Sequence, residues 1–326
     1  MNAFIHSIAS TFRSLFRKPG FALAVILTLT IGVGANTATL SLLYGYLLAP
    51  LPYPEAGQLL QVSVNAKTLV LDGSVSAPLY FDLLSQGTAL ETAGMYRYQD
   101  FNLATAERVI HVRGEATTTS LFTTLGVQPL LGQVFTASAN QPGAARNVVL
   151  SYRLWSRLFD RSPAALGRTV RLNDNAYTVI GVMPQSFQFP DPETDLWVPA
   201  IITAEDHNPQ HLGTFQWQVI GRLKPGSTTA AFDTQAQTVL QNAIAHFPVP
   251  AAIPMYEKIG LFMQATPLRT ALVGALSQRL VLVQLATGLL LLLVWFNLAN
   301  LFIARAGALQ RADPAAGTRC GYPDTF

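Results

Sequence analysis

The sequence predicts an α/β (α+β) domain outside the cytoplasm, flanked by two transmembrane α-helices, and three observations carry that prediction. Of 326 residues, 50% are hydrophobic and only 12% charged, about half the charged share of an ordinary soluble domain. Residues 19–54 and 280–304 contain no charged side chain, and each stretch exceeds the ~20 residues that carry a helix across a ~30 Å hydrocarbon core. Between them lie roughly 230 residues of interleaved strand and helix signals, enough for one or two packed cores.

At the N-terminus, residues 1–18 place Phe4, Ile5, Ile8, Phe12, Leu15 and Phe16 at helical spacing, with Arg13 and Arg17 on the other side. This pattern predicts a cytoplasmic amphipathic helix lying on the membrane surface, and a plain helical lead-in is its alternative. Pro19-Gly20 bends the chain into the first span, residues 19–50. A cleaved signal peptide competes with that span. The apolar run, however, continues through LLYGYLL (42–48), beyond the ~7 to 15 residues of a signal core. Arg13, Arg17 and Lys18 precede the span and little positive charge follows it, so the N-terminus is read as cytoplasmic. Within the span Gly32, Gly34 and Ala38 are small, and small faces let membrane helices approach closely.

Residues 51–278 form the expected domain. Strand signals run over 59–65, 108–114, 147–151, 216–223 and 259–268. Residues 168–183 read as a hairpin turning at Asn173-Asp174-Asn175, the residue chemistry of tight hairpin turns. Helices are expected near Pro78, over 152–159 behind Ser151 as N-cap, and over 229–247 behind the Lys224-Pro225-Gly226 turn. The second span, 279–304, carries Gln284, Asn297 and Asn300. Amides in lipid seek partners on other helices, so Asn297 and Asn300 join Gly32, Gly34 and Ala38 as predicted intramembrane packing residues.

Chemistry is thin. The net charge is +3 with no long basic block, which argues against nucleic acid. The one cysteine, Cys320, excludes a disulfide framework or Cys-based zinc site. His207 and His211 are four apart, but Pro209 separates them and no third histidine is near, so solvated loop histidines are the reading rather than a metal site. GRLKPGS (221–227) lacks the lysine of a phosphate loop and reads as strand, turn and helix start. The acidic run 191–195 before LWVP reads as a loop packing an aromatic anchor. No catalytic, cofactor-binding or metal residue is assigned, and the chain is read as not an enzyme.

The motifs nevertheless carry a resemblance. RKPGFALAVILTLTIGVGANTATLSLLYGYLLAPLPYP (17–54) resembles the opening of the MacB-like, FtsX-type ABC transporter permeases. LFTTLGVQPLLGQVF (121–135), LGRTVRLNDNAYTVIGVMPQSFQFP (166–190), LWVP (196–199), RLKPGST (222–228) and FNLANLFIARA (296–306) are similar to that family's later landmarks. The duplicated-permease branch, two such units in one chain, is the nearest in style. The resemblance implies a noncatalytic subunit of the inner membrane with a periplasmic domain, residues 51–278, having a porter-like part and an inserted subdomain. It implies a separate cytoplasmic ATPase that uses the ATP, a homodimer or second permease half, and a periplasmic or outer-membrane partner for efflux. An ATP-independent, membrane-tethered periplasmic interaction module and an inactive fragment are the alternatives. Against the family pattern, third and fourth membrane helices do not follow the second span. Residues 305–326, with Pro314, Gly317 and Pro323, are expected to be a truncated or frameshifted cytoplasmic tail.

Overall fold

The computed structural model describes residues 19–44, 51–86, 89–105 and 108–312. The predicted surface helix of 1–18 and the tail beyond 312 lie outside the described residues. The chain divides into two compact units, Pro50–Leu272 and, separately, the segments before and after it.

In the larger unit the strands are β1 (Leu59–Ala66), β2 (Leu90–Ala104), β3 (Val109–Thr117), β4 (Leu131–Gly132), β5 (Asn147–Leu150), β6 (Thr169–Leu172), β7 (Asn175–Val182), β8 (Leu196–Pro199), β9 (Gln218–Leu223) and β10 (Leu261–Pro267). They join in one sheet ordered β10-β1-β9-β2-β3-β8-β5-β7-β4, with β6 pairing β2 and β7. The β10-β1-β9-β2-β3 stretch is antiparallel, whereas β3 with β8 and β5 with β7 run parallel. In chain order, α1 (Pro19–Leu43) belongs to the smaller unit, followed in the domain by α2 (Ala77–Ser85), α3 (Ser120–Leu125), α4 (Tyr152–Phe159), α5 (Thr229–Ala245) and α6 (Ile253–Ile259). The last helix is α7 (Leu268–Ala312).

Local chemistry explains much of this. The β6–β7 hairpin turns at Asn173 and Asp174 with φ of 45° and 64°, the left-handed values of a two-residue hairpin turn, which Asn and Asp tolerate best. Ser151 Oγ accepts the Leu154 N–H at 3.2 Å, capping α4, and Thr228 Oγ1 does the same for Ala231 at α5, each meeting a donor that a helix start leaves unpaired. Sheet edges need cover. On β10, the N–H groups of Met263 and Ala265 donate to Gln237 Oε1 at 3.1 Å and Asp233 Oδ1 at 2.7 Å on α5.

Two cores sit on the sheet. The larger packs Val62, Leu79, Met95, Phe101, Trp217, Phe232 and Leu240. The smaller is aromatic: Tyr53, Tyr96, Phe122, Phe187, Phe189 and Trp197, in edge and tilted contacts such as Tyr96–Phe189 at 4.9 Å and Phe187–Trp197 at 5.2 Å. Helix α3 lies so close over β2 that a Cβ on Gly94 would come within 2.5 Å of Leu121 Cα. Leu268, the first residue of α7, is fully buried in the aromatic core.

Candidate functional site

The smaller unit contains the predicted packing residues. Its α1 has 25 residues, about 37 Å of helix, and α7 belongs to it from Val273 onward. Among the described residues one segment, Leu280–Asn300, is both long and apolar enough to cross a membrane, and Ile26–Ser41 is a shorter apolar stretch on α1. The two helices touch along Gly32, Asn36 and Thr39. A methyl group at Gly32 would stand 3.3 Å from Val294 and 3.4 Å from Leu291. Gln284 Nε2 donates to Asn36 Oδ1 at 2.6 Å, and the Thr39 and Thr287 hydroxyls lie 3.2 Å apart.

Of the five predicted packing residues, the structure therefore places Gly32 against α7. Gly34, Ala38, Asn297 and Asn300 are exposed. The helical period accounts for the division on α1: positions 32, 36 and 39 form one stripe, and 34 and 38 lie about 165° and 125° round the helix from its centre. The residues that bridge the helices, Asn36, Thr39 and Thr287, were not predicted. Asn36 carried a usable signal, as the one amide in the charge-free stretch 19–54, facing Gln284 in the other.

In the domain, one carboxyl stands apart. Glu115 on β3 is 3% exposed, stands in register with Tyr98 on β2 and Trp197 on β8, and its Oε2 has no hydrogen-bond partner among the described residues. Burial, reinforced by Asp191, pushes its carboxyl up to about 8. Asp195, also buried, is by contrast paired, with Arg153 Nη2 at 3.0 Å and the Arg113 N–H at 3.3 Å. These partners fix the acidic loop at the start of β8, whose Trp197 is buried. His207 stacks on Phe81 at 3.8 Å and His211 reaches Glu205 at 3.2 Å. Among the described residues no group of three or more His, Cys, Asp or Glu could hold a metal ion. GRLKPGS forms the end of β9 and a turn with Gly226 at φ 82°, and the residue after it, Thr228, caps α5.

Set beside known proteins, residues 22–239 match the family described as MacB-like periplasmic core domain. The chain belongs to that family. No curated protein matches it. Among solved structures, the MacB-like domain is similar to a domain of a protein described as a permease from Porphyromonas gingivalis (TM-score 0.49, 18% identity, 66% of this chain and 91% of that one). It is also similar to the periplasmic region of MacB from Actinobacillus actinomycetemcomitans (TM-score 0.45, 13% identity, 64% and 89%). A third is the extracellular domain of the noncanonic ABC-type transporter YknZ from Gram-positive bacteria (TM-score 0.42, 12% identity, 64% and 99%). The family match takes in most of α1 and the domain as far as α5, so the MacB-like domain and the helix that precedes it are one matched stretch.

Proposed function

We propose that this chain is a membrane permease subunit of an ABC-type transport or mechanotransmission system, its MacB-like domain driven from the cytoplasm by a separate ATPase and serving efflux. One observation carries the reading beyond family membership. Strand β10 passes into α7 with no connector, Pro267 ending the one and Leu268 beginning the other. Leu268 is fully buried in the aromatic core, and the same helix goes on to contain Leu280–Asn300. A segment rooted in a packed core passes displacement on to that core, because interiors are close-packed and transmit strain rather than absorb it.

In this reading α1 and α7 both cross the inner membrane, the N-terminus is cytoplasmic, and residues 51–278 are periplasmic. Gly34, Ala38, Asn297 and Asn300, exposed on the helix pair, pack on further membrane helices, from a second copy or a second permease half. The chain supplies binding and motion, and the ATPase supplies the chemistry. The test is to purify the full chain from membranes of its native host in mild detergent. A cytoplasmic ATPase copurifying in stoichiometric amount is expected. Recovery of the chain from the membrane with no ATPase bound, under several mild detergents, contradicts the proposal.

A further inference from the structure

The segment that follows the first apolar stretch has unusual means of attachment. Residues 52 and 54 are prolines, so the backbone there has few N–H groups to donate and must be held by its carbonyls or its side chains. Tyr53 supplies one hold, its ring buried edge-on against Phe187 and Phe189 at 6.4 and 6.5 Å. Arg222 supplies the other. Its side chain projects from β9, where the backbone is paired with Leu59 of β1 and Thr92 of β2, and only 8% of the residue is exposed. Its Nη2 donates to the Pro54 carbonyl at 3.1 Å and its Nε to the Thr124 carbonyl at 2.9 Å.

Thr124 lies in the last turn of α3, where helix carbonyls lack intrahelical N–H donors. One planar guanidinium thus ties the proline segment to that helix end, a geometry its rigid fork of donors allows and a single ammonium does not. The carboxylate nearest to it in its ion pairs, Glu55, is 4.0 Å away, with a side chain 68% exposed. Glu55 also has φ 49°, ψ 43°, a left-handed conformation uncommon outside glycine, at the point where the chain turns into β1. A buried cation answered mainly by neutral carbonyls is a poor device for stability, since desolvating it offsets what the hydrogen bonds contribute.

We propose that Arg222 is a positioning residue whose task is to lock the Leu51–Gln58 segment onto β9 and α3, so that displacement of the chain before it reaches the sheet undamped. The lock itself stands on contacts within the domain. That it carries motion from a membrane helix rests on the permease reading, and the experiment below contains no ATPase, so the two can fail separately.

The experiment is hydrogen–deuterium exchange on the full chain in nanodiscs, comparing the native protein with Arg222→Met, Arg222→Lys and Glu55→Gln. Losing hydrogen bonds to a charged donor predicts exchange about tenfold faster or more over residues 51–58 in Arg222→Met, with β1, β3 and β9 within about twofold of native. Arg222→Lys keeps the charge and the fold but loses the bridge, and is expected to show the same local acceleration. Glu55→Gln is expected to behave as native. Three results overturn the proposal: native exchange over 51–58 in either Arg222 variant, acceleration by one factor throughout the domain with a lowered Tm, or a Glu55→Gln effect as large as that of Arg222→Met. The first means the segment is held by Tyr53 alone, the second a merely structural role, and the third an ion-pair lock.

Discussion

Replacing Glu115 by Gln tests the electrostatics of the buried face directly. Burial raises this carboxyl from the ordinary 4.5 to about 8, so the folded chain keeps the proton up to about pH 8 while the unfolded chain releases it near 4.5. The stability linked to this group is therefore complete below pH 4.5, falls as pH rises toward 8, and is flat above that. The slope is about 1.4 kcal/mol per pH unit and the total about 5 kcal/mol. Gln has nearly the same shape and never ionises, so the variant lacks that slope and exceeds the native chain in stability at pH 8.5 by several kcal/mol. The assay is urea unfolding of the full chain in mild detergent from pH 4 to 9, followed by tryptophan fluorescence, with Trp155, Trp197 and Trp217 all buried in the domain. Subtracting the two curves cancels the other titrating groups. A difference that stays constant with pH, or that narrows toward alkaline pH, refutes the reasoning.

Two further expectations follow from packing. Gly94→Ala puts a methyl within 2.5 Å of the Leu121 backbone, which cannot rotate away as a side-chain tip can, so α3 must lift from β2 at a cost of about 1 to 3 kcal/mol; a Tm within a degree of native contradicts this. Asn36→Leu and Gln284→Leu each remove the amide pair between α1 and α7. A double-mutant cycle, read as unfolding in micelles of rising SDS content, should give a coupling on the order of 1 kcal/mol, and additive effects would show that the 2.6 Å contact contributes nothing to helix pairing.

Legibility in the sequence followed the physics of each element. The β6–β7 hairpin, α4 and α5 were readable because turn and cap chemistry is local: Asn173-Asp174, Ser151 and the Pro225-Gly226 turn each announce their element within a few residues. The longest strand, β2, was not foreseen. Its run from Ala93 to Tyr96 is buried on both faces and then gives way to alternation past Arg97 and Asp100, so neither a strand period nor a helix period persists along it. The extent of α7 was also missed at its start, since Leu268 and Leu272 pack in the aromatic core and resemble the strand residues before them. In the helix pair, apolarity located both segments but could not supply their facing. That depends on the phase with which Gly32 and Asn36 meet α7, and phase is a property of two helices together. Glu115 and Arg222 look like ordinary strand charges in the sequence. Their burial arises from Trp197, Thr124 and Pro54, all distant in the chain.

The claim that the MacB-like domain is moved by an ATPase is tested most directly in the copurified complex. Hydrogen–deuterium exchange over residues 261–272, where β10 becomes α7, would be measured with and without ATP and vanadate. A nucleotide-dependent change there, in a chain with no nucleotide site of its own assigned, is expected. Identical exchange in the two states, with the ATPase demonstrably bound and hydrolysing ATP, would contradict it.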